Sequence, residues 1–167
     1  MLTPFEELRP QSRIWIYQAD RPIAGEEEQA MLAASETFIR EWAAHGQSLL
    51  ASASVLHQHF LVFATDENFN MASGCSIDSS FRFVQQLGQE MNFDFFQRTN
   101  LAFLIDNEVK IVPMSALKHE IAAGTIGEDS LFFDNNIGTK TELAEKWIVN
   151  ASKSWLKRYF QSSPSVL

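Results

Sequence analysis

HFLVFAT, residues 59–65, is apolar at nearly every position after its histidine. Successive side chains on a strand point to opposite faces, so such a run predicts a strand buried on both sides. Where it lies among its neighbours decides the fold. SLLASASVL (48–56) comes directly before it and is close enough to pair with it as a hairpin. RIWIYQ (13–18) is a β-branched and aromatic run and reads as the first strand. TNLAFLID (99–106) reads as the fourth, with a tight turn at Asn107 and Glu108 and a return strand VKIV (109–112).

Two helical stripes separate these strands. In EEEQAMLAASETFIREWAAHG (26–46), Met31, Ala34, Phe38 and Trp42 recur at spacings of three and four. Three glutamates oppose the positive end of its dipole, and Gly46 is the expected stop. Ile77, Phe81, Val84, Leu87 and Met91 trace the second stripe, with Asp78 in the first turn. The order strand, helix, strand, strand, helix, strand is the α+β, ferredoxin-like split βαβ plan. Right-handed crossovers then set the first and third strands side by side and parallel, with both helices on one face.

Beyond Pro113, SALKHEIAAG (115–124) reads as a short helix and SLFF (130–133) as a short strand. TKTE (139–142) has the capping-box pattern and opens a helix through Trp147. A last helical segment runs from Trp155 to Phe160. The expected organisation is a core over 1–112, a mixed α/β extension over 113–160 packed on it as one domain, and a tail over 161–167. IWIY, FLVF and LAFLI are apolar on both faces, so either the extension or a second copy of the chain covers the sheet's second face.

Composition limits the function. A chain of 167 residues, 46% hydrophobic with 14 Phe and 4 Trp, can bury a sizeable core. The net charge of −8 argues against a general nucleic-acid binder, which needs a basic footprint. One cysteine excludes an internal disulfide and a Cys-rich zinc site. MLTPFEELRP does not read as a signal peptide, and no run approaches the roughly 18 apolar residues of a membrane span. A cytoplasmic protein without cofactor or metal is the expectation.

MASGCSIDSS (71–80) carries the candidate site. If the first and third strands are parallel neighbours, the loops that follow them meet, and Arg21 approaches Ser73, Gly74, Cys75 and Ser76. Free N–H groups, two hydroxyls and a guanidinium would suit a small anion, and the same field would favour the Cys75 thiolate. The plainer alternative is capping and packing, with Arg21 paired to Asp20, Asp66 or Asp78. His57 and His59 would share a strand face, as a metal pair could, but no third ligand stands at zinc-like spacing. FDFF (93–96) would either seal the end of the second helix or form an interface. Lys146, Lys153, Lys157 and Arg158, interleaved with Trp147, Trp155, Tyr159 and Phe160, would form a solvated basic face or dock a partner or an anionic surface.

RIWIYQADRP, WAAHGQ, ASGCSID, DFF and TKTELAEKW together resemble a family of small, uncharacterised bacterial proteins often labelled ABC transporter ATPase. The resemblance spans nearly the whole chain and implies no catalytic residues. The label itself finds no motif here: there is no G-x-x-x-x-G-K-[ST] loop, and GTK at 138–140 lacks the preceding glycine. Two readings follow. One is a non-catalytic module, as a single copy or a homo-oligomer, that binds a small anion or a protein partner near Cys75. The other is a thiol-dependent enzyme in which Cys75 is the catalytic residue and His57 or His59 the base.

Overall fold

The structure, a computed structural model, describes residues 1–161. The expected tail therefore lies outside the described residues, apart from Gln161. These residues are mixed α and β, with three antiparallel sheets among them. It divides into two compact units, Met1–Gln97 with Ile137–Ala144, and Arg98–Asn136 with the residues from Glu145 onward. The division follows residue 97, whereas the expected boundary at 112 falls inside a strand.

In the first unit the order is β1 (Arg13–Gln18), α1 (Gly25–Glu41), β2 (Ala43–Ala44), β3 (Gln47–Ser48), β4 (Ala51–Leu56), β5 (Phe60–Thr65) and α2 (Gly74–Met91). The main sheet has the order β1-β5-β4. β1 and β5 are neighbours, as expected, but they run antiparallel, with Arg13 opposite Thr65 and Gln18 opposite Phe60. Connectivity requires this. A tight turn joins β4 to β5 and makes that pair antiparallel, and β1 shares its direction with β4. Any strand between them must oppose both. The parallel pairing expected for the first and third strands is therefore corrected, and the loops that follow them leave opposite ends of the sheet.

The fourth strand does not join this sheet. It lies in the second unit, and the free edge of β1 pairs instead with residues 138–140. Ile14 N–H donates to the Gly138 carbonyl at 3.0 Å, and Lys140 N–H donates to the Ser12 carbonyl at 2.9 Å. Lys140 Nζ donates to the carbonyls of Phe5, Glu6 and Leu8 at 2.9, 3.2 and 2.7 Å. Part of the expected extension is thus the strap that closes an edge of the first sheet, and the full four-stranded ferredoxin-like sheet does not form.

β5 is buried along all six residues, as its two-sided apolar pattern predicts. Leu61 and Phe63 on one face pack with Tyr17, Met31, Ile39, Trp42, Val84 and Leu87. α2 turns a different face inward from the expected stripe. Ser76, Ser80, Val84, Leu87 and Gly88 are buried, while Phe81 is 39% exposed. The cause is bulk on the opposing surface. Trp42 donates its indole N–H to the Ser76 carbonyl at 2.8 Å, and Tyr17 Oη lies 3.4 Å from Ser80 Oγ. Only small side chains fit beneath those rings. α1 ends at Glu41, short of the expected Gly46, which serves with His45 as the turn between β2 and β3.

The second unit contains β6 (Asn100–Ile105), β7 (Glu108–Pro113), α3 (Leu117–Ala122), β8 (Leu131–Phe133) and β9 (Ile148–Asn150). Its sheet has the order β7-β6-β8-β9. Asp106 and Asn107 form the β6–β7 turn at positive φ, one residue before the expected position. α4 (Lys140–Glu145) belongs mainly to the first unit and stops before Trp147, and the residues after it form β9. Leu101, Phe103, Val112, Leu117, Ile126, Phe132, Ala151 and Leu156 make this unit's core. Among the described residues, no helix is long and apolar enough to cross a membrane.

Candidate functional site

Ser73, Gly74, Cys75 and Ser76 do form the mouth of α2, with Ser73 as its cap. Ser73 Oγ accepts the Ser76 N–H at 3.1 Å, and Ser76 Oγ accepts the Ser73 N–H at 2.7 Å. The two hydroxyls thus satisfy each other's backbone instead of facing a ligand. Cys75 is exposed in the first turn.

Arg21 sits at the other end of the same helix. Its Nε donates to the Asn92 carbonyl at 3.1 Å and its Nη2 to the Met91 carbonyl at 3.0 Å. At about 1.5 Å per residue, α2 places Cys75 roughly 25 Å from that end. The expected convergence of Arg21 with Cys75 therefore fails, because β5 is antiparallel to β1. Arg21 instead joins two helix termini. It pairs with Glu27 at 2.8 Å, while Glu27 accepts the Ala24 N–H at the start of α1 at 3.1 Å. A cation at a helix C-terminus and a carboxylate at an N-terminus each oppose the local dipole. The guanidinium also stacks 3.7 Å from the centre of the Phe93 ring. Asp66 has its own partner, accepting two bonds from Arg9 at 2.9 and 3.0 Å.

The histidines also separate. His57 and Gln58 occupy the β4–β5 turn at φ 51° and 52°. His57 is exposed, whereas His59 is buried and its Nε2 has no hydrogen-bond partner. They do not share a strand face. The turn lies at the Arg21 end, since the Ala19 and Ile23 N–H groups donate to the His59 and Gln58 carbonyls at 2.8 and 2.7 Å. Neither imidazole is placed to act as a base for Cys75.

Burial lowers the His59 pKa, with the Asp20 charge opposing, and burial also lowers that of His57. Hydrogen bonds from Arg21 lower the Glu27 pKa, and hydrogen bonds from Arg9 lower that of Asp66. All four groups bind protons less readily when folded, so all four contribute stability at high pH that is lost on acidification. The histidine contribution starts to fall below about pH 6.5 and the carboxylate contribution below about pH 4. Thermal unfolding across pH 7 to 3 should therefore show two successive declines in Tm. His59→Gln should flatten the upper one. An unchanged upper decline in that variant would contradict the assignment.

A concave surface does exist on α2, away from its mouth. Gly88 lets the chain double back after the helix. Asn92 takes a left-handed conformation, and the Phe93 N–H donates to the Gly88 carbonyl at 2.8 Å. Asp20 Oδ1 accepts the Asp94 N–H, and Asp94 Oδ1 accepts the Phe96 N–H, both at 2.9 Å. The returning residues 93–96 and the helix enclose a groove of about 400 Å³. Val84 and Gly88 line its base, Phe81, Phe93, Phe95 and Phe96 its apolar walls, and Arg82, Gln85, Gln89 and Asp94 contribute polar groups. Phe81 stacks on Phe96 with centroids 5.5 Å apart. FDFF thus does more than seal the helix end. A glycine within an amphipathic helical run, followed by an aromatic cluster, is the sequence signal for this groove. Compared with known protein families, curated proteins and solved structures, the chain matches none.

Proposed function

We propose that this protein is a cytoplasmic, non-catalytic binding module whose ligand-accepting surface is the aromatic groove between α2 and residues 93–96. The observation that carries this reading is Phe81, a large ring left 39% exposed on a concave apolar wall. The groove falls within the volume range of small-ligand pockets and has the apolar lining with a few polar groups that such pockets share. It would accept an aromatic or branched aliphatic group. An exposed, unpaired Cys75 suits a reducing compartment. The distance between Cys75 and the histidine turn favours the module over the thiol enzyme.

Indole is a direct probe of the groove. Titration should produce saturable amide shifts in residues 81–89 and 93–96, and Gln85→Trp should abolish them by filling the groove. Indole that leaves these resonances unmoved at millimolar concentration would end this reading.

Binding of Mg-ATP is not expected. Gly138 and Lys140 flank the start of a six-residue helix, and the Lys140 ammonium is committed to three backbone carbonyls. No lysine is therefore free there to hold a triphosphate. Calorimetry should give no heat of binding, and a micromolar dissociation constant would overturn the expectation.

A further inference from the structure

The second unit has a cavity of its own, of about 590 Å³, lined by Lys118, Ile121, Ala122, Arg158, Tyr159 and Gln161. Its chemistry differs from that of the groove on α2. Among the described residues, two cations line it and no carboxylate does, in a chain that carries eight more acidic than basic residues. Lys118 makes no ion pair or hydrogen bond among the described residues. The acid nearest to it on α3, Glu120, is engaged elsewhere, 3.5 Å from Lys110.

The two cations are held from below. Lys118 projects from α3, which is anchored by Leu117, and Arg158 from the 3-10 turn Trp155–Tyr159, which is anchored by Leu156. Both leucines are fully buried in the same core. Arg158 is oriented further by Tyr159, with Nη2 3.1 Å from the phenol oxygen and the guanidinium 5.0 Å from the ring centre. Ile121 and Ala122 lie three and four residues beyond Lys118 and so share its side of the helix, adding an apolar wall. Like charges gathered without a counter-ion are unfavourable, and a bound oxyanion relieves that repulsion. The guanidinium also offers paired donors that match a carboxylate or a phosphate.

We propose that this cavity binds an amphipathic oxyanion, a carboxylate or phosphate group carried on a short apolar chain. The anionic head lies between Lys118 and Arg158, and the tail lies along Ile121 and Ala122. This assigns a role to part of the basic and aromatic C-terminal segment, and it does not depend on the groove on α2.

The test is NMR titration of the full chain with hexyl phosphate, hexanoate, hexanol and inorganic phosphate. Hexyl phosphate or hexanoate should shift residues 118–122 and 158–161 saturably, with hexanol and inorganic phosphate each at least tenfold weaker. The better of the two anions identifies the head group. Lys118→Gln and Arg158→Gln should each weaken binding tenfold or more, while Lys118→Arg should retain it. All these side chains are at the surface, and an unchanged spectrum elsewhere will report intact folding. Equal binding of hexanol and hexanoate, or anion binding unaffected by both glutamine variants, would overturn the proposal. So would association with anionic vesicles without saturable binding of the soluble anions, since that would make the segment a membrane-surface contact.

Discussion

Phe63→Ala is expected to destabilise the protein by about 3–5 kcal/mol, the range for removing a fully buried phenylalanine. Phe63 has no exposed surface, and its ring lies 5.9–6.1 Å from those of Tyr17, Phe38, Trp42 and Phe83. These partners come from β1, α1, the residue after α1 and α2. One substitution therefore removes contacts with β1 and with both long helices of the first unit. Urea unfolding should show a much lower midpoint, with part of the protein unfolded before denaturant is added. A cost below 1 kcal/mol would mean that this aromatic cluster is not the packing centre of the first unit.

Gly88→Ala should act in the opposite direction from helix propensity. In an ordinary helix interior, alanine in place of glycine stabilises by about 1 kcal/mol. Here a Cβ would stand 2.5 Å from the Phe93 carbonyl oxygen and 3.4 Å from the Phe95 ring. The first contact is with backbone and cannot be relieved by a rotamer change. A loss of about 2–3 kcal/mol is expected, in the range for overpacking. Gln89→Ala, one residue on and exposed, should stay within about 0.5 kcal/mol. The variant should also lose the indole response, because residues 93–96 must move to accommodate the methyl group. Gly88→Ala as stable as the parent would show that the chain after α2 does not double back as described.

Hydrophobic periodicity located β1, β4, β5 and the bodies of α1 and α2, because these elements bury repeating faces. Strand direction was harder to read. The hairpin nature of 48–65 was visible, and its antiparallel direction combined with a helical crossover requires β5 to oppose β1. A parallel pair would set Arg21 beside Cys75, whereas the antiparallel pair sets it at the far end of α2. Which face of α2 turns inward was not legible, because Ser76 and Ser80 are buried for their small size beneath Trp42 and Tyr17. β9 is three residues long and follows a capping pattern, so local signals extend the helix through Trp147. Pairing with β8 overrides them. The groove follows from Gly88 and FDFF together, and neither is informative alone.

The strap at Ile137–Ala144 bears on synthesis at the ribosome. β1 emerges early, yet the segment that pairs with its outer edge is made only after Arg98–Asn136. At about 5–20 residues per second, residues 98–136 alone add roughly 2–8 s to the time that edge stays unpaired on the nascent chain. An open strand edge is a template for pairing with another chain. The interval before residue 137 emerges is thus when self-association of the growing polypeptide is most favoured, and slowing elongation across 98–136 lengthens it.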